Sequence, residues 1–418
     1  REPPSRHAFR RRRPARIVGA LFAAAVVAAL AFLAFLASSD GPESQSDPAR
    51  DAAGPPAVRF VDVTRDVGID FVHRNGAYGE KLLPETMGGG VAFVDFDADG
   101  DPDLLFIGGS DWSWREARDP RPSLALYRND HGRFTDVTRG SGLDVQIYGM
   151  GVAAGDYDAD GGVDLFITAV GGNRLFRNLR DGRFEDVTER SGVAGEPDGW
   201  STSAAWVDVD RDGDLDLFVA NYVRWSRAID LAIDYRLPGI GRAYGPPLHF
   251  TGTFPYLYRN DGGGRFVEVA AESGLQVRNP ATGAPLAKSL GVAPVDVDDD
   301  GWIDLVVAND TVQNFVFRNR GEGRFEEVGA IAGVAFDSYG QTRGAMGIDV
   351  ARFRNDDALG IAIGNFANEM NALYVSNRDE LHFADRAIAE GVGQASQPLL
   401  KFGLFFFDYD LDGRLDLL

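Results

Sequence analysis

The sequence predicts an all-β fold, a β-propeller preceded by one N-terminal helix, and three observations lead there. The phrase Asp-x-Asp-x-Asp-Gly-x-x-Asp occurs five times, beginning at Asp95, Asp156, Asp208, Asp296 and Asp408. Each of the first four phrases lies between two short apolar runs and is followed by a hairpin-like pair, which reads as four antiparallel strands per unit. The units recur every 50 to 60 residues or so, and closing four-stranded units into a ring removes most exposed sheet edges.

At the N-terminus, Arg10 to Arg13 and Arg16 precede an uninterrupted apolar run from Ile17 to Ala37. At about 1.5 Å per residue this run reaches roughly 31 Å, the thickness of a hydrocarbon core. Residues 1–16 are then a basic cytoplasmic segment, 17–37 a transmembrane anchor, and everything after it lies outside the cytoplasm. The alternative is a signal segment cleaved near Ala37-Ser38-Ser39, giving a secreted protein. Residues 38–57, rich in Pro, Ser, Gly and Asp, read as a flexible tether.

The propeller is assigned to residues 58–418, truncated at its C-terminal side. Its first unit runs from Gly90-Val91-Ala92-Phe93-Val94 through an Asp loop to Leu104–Ile107, then Leu126-Tyr127-Arg128-Asn129 and Gly132-Arg133-Phe134. The hairpin returns as Leu175-Phe176-Arg177-Asn178, Leu257-Tyr258-Arg259-Asn260 and Val316-Phe317-Arg318-Asn319. A worn unit is expected between the fourth and fifth phrases. Gly347-Ile348-Asp349 leads into it, and Ala351 and Phe353 stand where Asp would, so no intact metal site is predicted there. Phe60-Val61-Asp62-Val63-Thr64 resembles the end of a unit and is expected to be a strand completing the last blade. Insertions carry Trp112 and Trp114 after the first loop, and Trp225, Tyr244, Pro246, Pro247 and His249 between about Tyr222 and Phe254.

The Asp phrases point to calcium. Alternate residues of a tight loop converge on one point, and a hard cation that takes six to eight oxygens needs such convergence. Side chains at positions 1, 3, 5 and 9 and the backbone carbonyl at position 7 are the predicted ligands. They are Asp95, Asp97, Asp99, Asp101 and Asp103; Asp156, Asp158, Asp160, Gly162 and Asp164; and Asp208, Asp210, Asp212, Asp214 and Asp216. The fourth and fifth sets are Asp296, Asp298, Asp300, Trp302 and Asp304, then Asp408, Asp410, Asp412, Arg414 and Asp416. Without an ion, two carboxylates about 5 Å apart repel by roughly 3 kcal/mol at an effective dielectric of 20.

Composition narrows the rest. The formal charge is −21, and the acidity of the folded part argues against nucleic acid or an anionic membrane surface as its partner. The absence of cysteine excludes disulfides, thiolate metal sites and cysteine catalysis. No Gly-x-Ser-x-Gly elbow or His-Glu-x-x-His helix occurs. Gly149–Gly155 echoes a dinucleotide loop but leads into a strand rather than a helix. His73 reads as a packing or turn residue, and Asn221, Asn309 and Asn365 either form strand-end turns or gather polar groups on one face.

The repeat resembles the FG-GAP/VCBS type of integrin α-subunit propellers and many bacterial exported proteins. Phe-Val-His-Arg-Asn-Gly from Phe71, followed by Leu-Pro-Glu-Thr-Met-Gly-Gly-Gly to Gly90, resembles the ASPIC/UnbV (cartilage acidic protein-like) family, as do Ala308-Asn309-Asp310-Thr311 and Gly364-Asn365-Phe366. The resemblance implies a seven-bladed propeller followed by an ASPIC/UnbV domain, with metal loops at the five intact phrases and none at Asp349. Family members often carry cysteines near the insertion after the third loop, and this chain has none.

The expected function is an exported, calcium-binding interaction module for an unidentified extracellular protein or glycan, meeting the membrane only through its N-terminal helix. Trp112, Trp114, Trp225 and Tyr244 are candidates for an aromatic recognition platform. Two alternatives stand beside it: a polysaccharide lyase or hydrolase on a calcium-stabilised propeller, and an envelope assembly scaffold. No catalytic residues are assigned.

Overall fold

A computed structural model describes residues 58–116, 119–377 and 381–418. The membrane-spanning expectation for 17–37 and the tether to residue 57 lie outside the described residues. Among the described residues no helix is long and apolar enough to cross a membrane.

Five four-stranded antiparallel sheets follow one another along the chain. The first contains Val91–Val94, Asp103–Ile107, Leu124–Asn129 and Phe134–Asp136. The second is built from Tyr148–Gly155, Asp164–Val170, Arg174–Asn178 and Phe184–Asp186. The third comprises Ser201–Val207, Asp216–Asn221, Tyr256–Asn260 and Phe266–Glu268. The fourth holds Ser289–Val295, Asp304–Asn309, Phe315–Asn319 and Phe325–Glu327, and the fifth Ala345–Ala351, Gly360–Asn365, Ala372–Ser376 and Phe383–Asp385. Phe406–Phe407 and Asp416–Leu417 form a sixth, two-stranded pair. The fifth sheet shows that the worn unit is a full structural repeat.

Side-chain alternation explains how the sheets stack. In the fourth sheet, Leu305 and Val307 join a core shared with Phe218 and Leu257 of the third, whereas Val306 and Ala308 join one shared with Ile361 and Tyr374 of the fifth. A second strand buried on both faces therefore reads as an unbroken apolar run, because each face of the pleat meets a neighbouring sheet. The first strands of successive sheets lie beside one another. They approach so closely that a Cβ on Gly151 would sit 2.5 Å from the Thr202 carbonyl oxygen. The fold is all-β and propeller-like.

The strand expected at Phe60–Thr64 does not form. Phe60 and Val61 are exposed, and the segment has no regular secondary structure before a turn at 64–68. Its downstream half still behaves as the end of a unit. Phe134 N–H donates to the Val67 carbonyl at 2.8 Å, as Phe184 N–H does to Ser141 at 2.7 Å and Phe325 N–H to Ser273 at 2.8 Å. The residue pattern resembles a unit end, but a strand also needs a hydrogen-bonding partner, and none of the described strands pairs with it. Phe60 instead lies 6.1 Å, ring to ring, from Tyr409 in the last Asp loop.

Candidate functional site

The Asp loops connect the first and second strands, and their geometry repeats residue for residue. The position-1 carboxylate folds back over the loop: Gly100, Gly161, Gly213, Gly301 and Gly413 donate their N–H to Asp95, Asp156, Asp208, Asp296 and Asp408 at 2.7–3.1 Å. The position-5 carboxylate accepts the N–H of position 7 in every loop, for example Asp214 to Asp212 at 2.9 Å. The turn needs left-handed backbone at position 4 as well as at the glycine, and Ala98, Ala159, Arg211, Asp299 and Leu411 supply it with φ between 54° and 62°.

Position 9 has a role that spacing alone did not reveal. Asp103, Asp164, Asp216 and Asp304 are wholly buried. Each uses one oxygen to accept the N–H of position 2 and the other to accept the N–H of the strand-three Asn. For Asp216 the donors are Val209 at 3.0 Å and Asn260 at 2.8 Å; for Asp304 they are Val297 at 2.8 Å and Asn319 at 2.6 Å. Burial, only partly offset by these N–H groups, pushes the carboxyls of Asp164, Asp216 and Asp304 up to about 7. The same Asn side chains tie neighbouring sheets together. The amide of Asn178 donates to the Phe96 carbonyl at 2.8 Å, Asn260 to Tyr157 at 3.0 Å and Asn319 to Val209 at 2.8 Å. The recurring Arg-Asn was visible in sequence as a repeat marker, not as a lock between units.

Carboxylate oxygens gather within 4.8 Å of one another in all five intact loops. The groups are Asp95, Asp97 and Asp99; Asp156, Asp158 and Asp164; Asp208, Asp210 and Asp216; Asp296, Asp298 and Asp300; and Asp408, Asp410 and Asp416. The fit to a cation rests on unused acceptors. Asp158 Oδ1, Asp208 Oδ1 and Asp298 Oδ1 are buried without a hydrogen-bond partner, and the Asp298 side chain is only 10% exposed. Buried carboxylate oxygens without a donor are costly, and an all-oxygen, all-anionic donor set suits a hard divalent cation. These clusters can hold a metal ion.

The fifth sheet's loop needs a correction. Ala351 pairs with Gly360 as Val295 pairs with Asp304, so Arg352, Arg354 and Asp356 occupy positions 1, 3 and 5, and Gly360 occupies position 9. The expected register, with Ala351 and Phe353 at Asp positions, was three residues too early, because Gly347-Ile348-Asp349 mimics the lead into a loop from within the strand. Asp349 Oδ2 instead accepts the Phe406 N–H at 2.7 Å. The loop keeps its turn, with Asn355 at φ 55°. A Cβ on Gly360 would meet the Phe353 ring at 2.5 Å, so that ring fills the space of the position-9 carboxylate.

At the other ends of the strands, the two insertions converge. Trp112 stacks on Tyr148 at 4.3 Å, on Trp114 at 4.8 Å and on Trp225 at 5.3 Å. Two buried carboxylates that sequence reasoning missed hold this wall. Glu85 accepts the Trp112 indole N–H at 3.1 Å and the Tyr244 hydroxyl at 3.3 Å. Asp230 accepts the Trp225 indole N–H at 2.8 Å, the Leu83 N–H at 2.8 Å and Arg242 Nη2 at 2.7 Å. Burial pushes the Glu85 carboxyl up. Trp112 and Trp225 are buried and Trp114 is 39% exposed, so of the expected platform it is Trp114 that faces solvent. A cleft of about 390 Å³ opens there, bounded by Trp114, Tyr148, Arg174, Asp198, Trp225 and Arg227. Asn221, Asn309 and Asn365 are buried strand-end ties; Asn309 Oδ1, for instance, accepts the Ser289 hydroxyl at 2.9 Å. His73 is exposed.

Comparison with known proteins agrees with the repeat. The FG-GAP-like repeat model matches residues 95–167, 156–219 and 296–363. The chain is 26% identical over 399 residues to Cartilage acidic protein 1 of Xenopus tropicalis and to that of Mus musculus, covering 80% of this chain and 57% of each relative. The Homo sapiens protein is 26% identical over 358 residues, with 80% and 47% covered. The chain thus spans about half the length of the curated relatives it matches. Among solved structures, an Agrocybe aegerita lectin described as recognising non-reducing terminal N-acetylglucosamine aligns with a TM-score of 0.46 at 16% identity, covering 79% of this chain and 74% of the lectin. The V. cholerae biofilm matrix protein Bap1 aligns with a TM-score of 0.38 at 12% identity, covering 71% and 38%.

Proposed function

We propose that this FG-GAP-like repeat protein, similar to cartilage acidic protein 1, is an exported, calcium-stabilised β-propeller that serves as an interaction module. Calcium is held in the five intact loops by the carboxylates at positions 1, 3, 5 and 9 and the carbonyl at position 7. When bound, it supplies positive charge that neutralises converging carboxylates and braces the turn between the first two strands. The buried, unpartnered oxygens of Asp158, Asp208 and Asp298 support this reading, and the recurrence of one loop geometry supports a constitutive role.

Recognition is assigned to the strand ends opposite the calcium loops. One observation carries it: two insertions far apart in sequence meet in an aromatic wall pinned by buried Glu85 and Asp230, and that wall borders a cleft. Rigid scaffolds present variable loops in this way, and aromatic side chains suit the apolar face of a sugar or a partner's anchor residue. A glycan array and a cross-linking pull-down, each run with the wild-type chain and with Trp114→Ala, test the assignment. Ligand capture by the wild type that is lost in the variant is expected. Capture unaffected by the variant moves recognition elsewhere, and turnover of a bound polysaccharide replaces the module with an enzyme.

A further inference from the structure

The four hairpins that follow intact loops carry an arginine at the same strand-three position, and these arginines are parked in two different ways. In the second sheet Arg177 reaches into its own Asp loop, with Nε 2.6 Å from Asp158 Oδ2 and Nη2 2.7 Å from Asp160 Oδ2. In the fourth, Arg318 Nε lies 2.5 Å from Asp298 Oδ2, and Nη2 donates to Asp300 Oδ2 at 3.4 Å. Both guanidiniums occupy positions 3 and 5, among the carboxylates that gather for a cation. In the first and third sheets the equivalent arginines turn away. Arg128 pairs with both oxygens of Asp130 at 3.2 and 3.0 Å, and Arg259 with both oxygens of Asp261 at 2.7 and 3.3 Å.

One residue separates the two arrangements. After the Arg-Asn pair come Asp130 and Asp261 in the first and third units, but Leu179 and Arg320 in the second and fourth. An Asp two residues beyond the Arg captures the guanidinium in a local two-bond fork; Leu or Arg at that place offers no acceptor, and the guanidinium takes the loop. The fifth unit goes furthest, with Arg352 and Arg354 in place of the position-1 and position-3 Asp. Arg352 Nη2 bonds Asp299 of the preceding loop at 2.8 Å, and Arg354 pairs with Glu390.

We infer that the residue following the Arg-Asn pair sorts four of the five calcium loops into two affinity classes: open loops at Asp95 and Asp208, and arginine-contested loops at Asp156 and Asp296. The inference rests on the calcium reading of the loops. A cation entering a contested loop competes with a guanidinium for positions 3 and 5, while an open loop offers these carboxylates uncontested. Arg177 and Arg318 act as built-in counter-ions that keep their loops neutralised at low calcium, and Asp130 and Asp261 are arginine holders that free theirs.

The test is calorimetric titration of the chelator-stripped chain with calcium chloride. Two classes are expected in the wild type. Arg177→Gln with Arg318→Gln should tighten the weak class by roughly two- to fivefold, the range that a partly exposed ion pair carries. Leu179→Asp with Arg320→Asp should act in the same direction while keeping both arginines, so the result does not depend on one variant folding. Arg128→Gln with Arg259→Gln removes the same formal charge from open loops and should leave the strong class within about twofold. Equal tightening by both Arg→Gln pairs would reduce the effect to bulk charge and overturn the proposal. A single class in the wild type would also overturn it while leaving the calcium reading intact, whereas no calcium uptake at any loop would remove both.

Discussion

Replacing Asp216 by Ala isolates the structural half of an Asp loop from its metal-binding half. Asp216 is wholly buried and accepts two backbone N–H groups, from Val209 at 3.0 Å and from Asn260 at 2.8 Å. The alanine leaves both donors buried without an acceptor. Each orphan costs about 1–3 kcal/mol, so the expected loss is about 2–6 kcal/mol with no metal present. Asp216→Asn keeps one acceptor and turns an amide toward the other N–H, so it should lose about half as much. The assay is urea unfolding in EDTA at pH 8. At that pH the wild-type carboxyl, pushed up to about 7 by burial against the Asn260 and Val209 N–H groups, is ionised. Repeating it in calcium adds the second half. At a hundredfold excess over its dissociation constant, one ion stabilises a folded site by about 2.7 kcal/mol, and the Ala variant should forgo that increment. If its midpoint in EDTA matches wild type, the two N–H bonds do not hold the loop and the position-9 argument fails. If the midpoints match in EDTA and diverge only in calcium, Asp216 is a ligand and nothing more.

Other predictions follow from other parts of the molecule. Asp310 is buried, accepts the Tyr222 hydroxyl at 2.5 Å, and burial pushes its carboxyl up to about 6. The folded state therefore keeps a proton that the unfolded chain releases near pH 4, so stability is lost as pH rises from about 4 to 6; a shift from 3.8 to about 6 is worth on the order of 3 kcal/mol. Asp310→Asn should flatten this decline, read as the difference between wild-type and variant urea midpoints at pH 4 and pH 7 in EDTA. Trp112→Ala should cost about 3–5 kcal/mol by thermal or urea unfolding, since it empties the middle of the aromatic stack and takes the donor from Glu85 Oε1; Trp114→Ala should cost far less. Gly360→Asp should fail to create a calcium site in the fifth unit and destabilise by about 1–3 kcal/mol, because the Phe353 ring already fills the space; a gain in calcium stoichiometry would refute this.

What the sequence made legible was local and repeated. The Asp spacings, the Gly at position 6 and the apolar alternation of the second strands each depend on neighbours within a few residues, and each is found in the fold. Properties set by distant partners were hidden. Glu85 and Asp230 look like surface acids until the Trp112 indole reaches the first and the Leu83 N–H the second from elsewhere in the chain; the Leu83–Asp230 bond alone spans 147 residues. The fifth loop was misregistered because a strand containing Gly347 and Asp349 imitates a loop lead, and only pairing with Gly360 fixes where the turn begins. Phe60–Thr64 carries a strand's residue pattern, yet a strand exists only when another one pairs with it.

The Asn178, Asn260 and Asn319 amides give the molecule a direction in time. Each closes the carbonyl of a loop made earlier in the chain, 82, 103 and 110 residues upstream. As the polypeptide is made, the loop carbonyl of each of these units stays open to water until the third strand of its successor brings the Asn amide to it. Order along the chain then becomes order of closure, each sheet covering a carbonyl of the one before it, and a translational pause midway would leave only the most recent sheet uncovered.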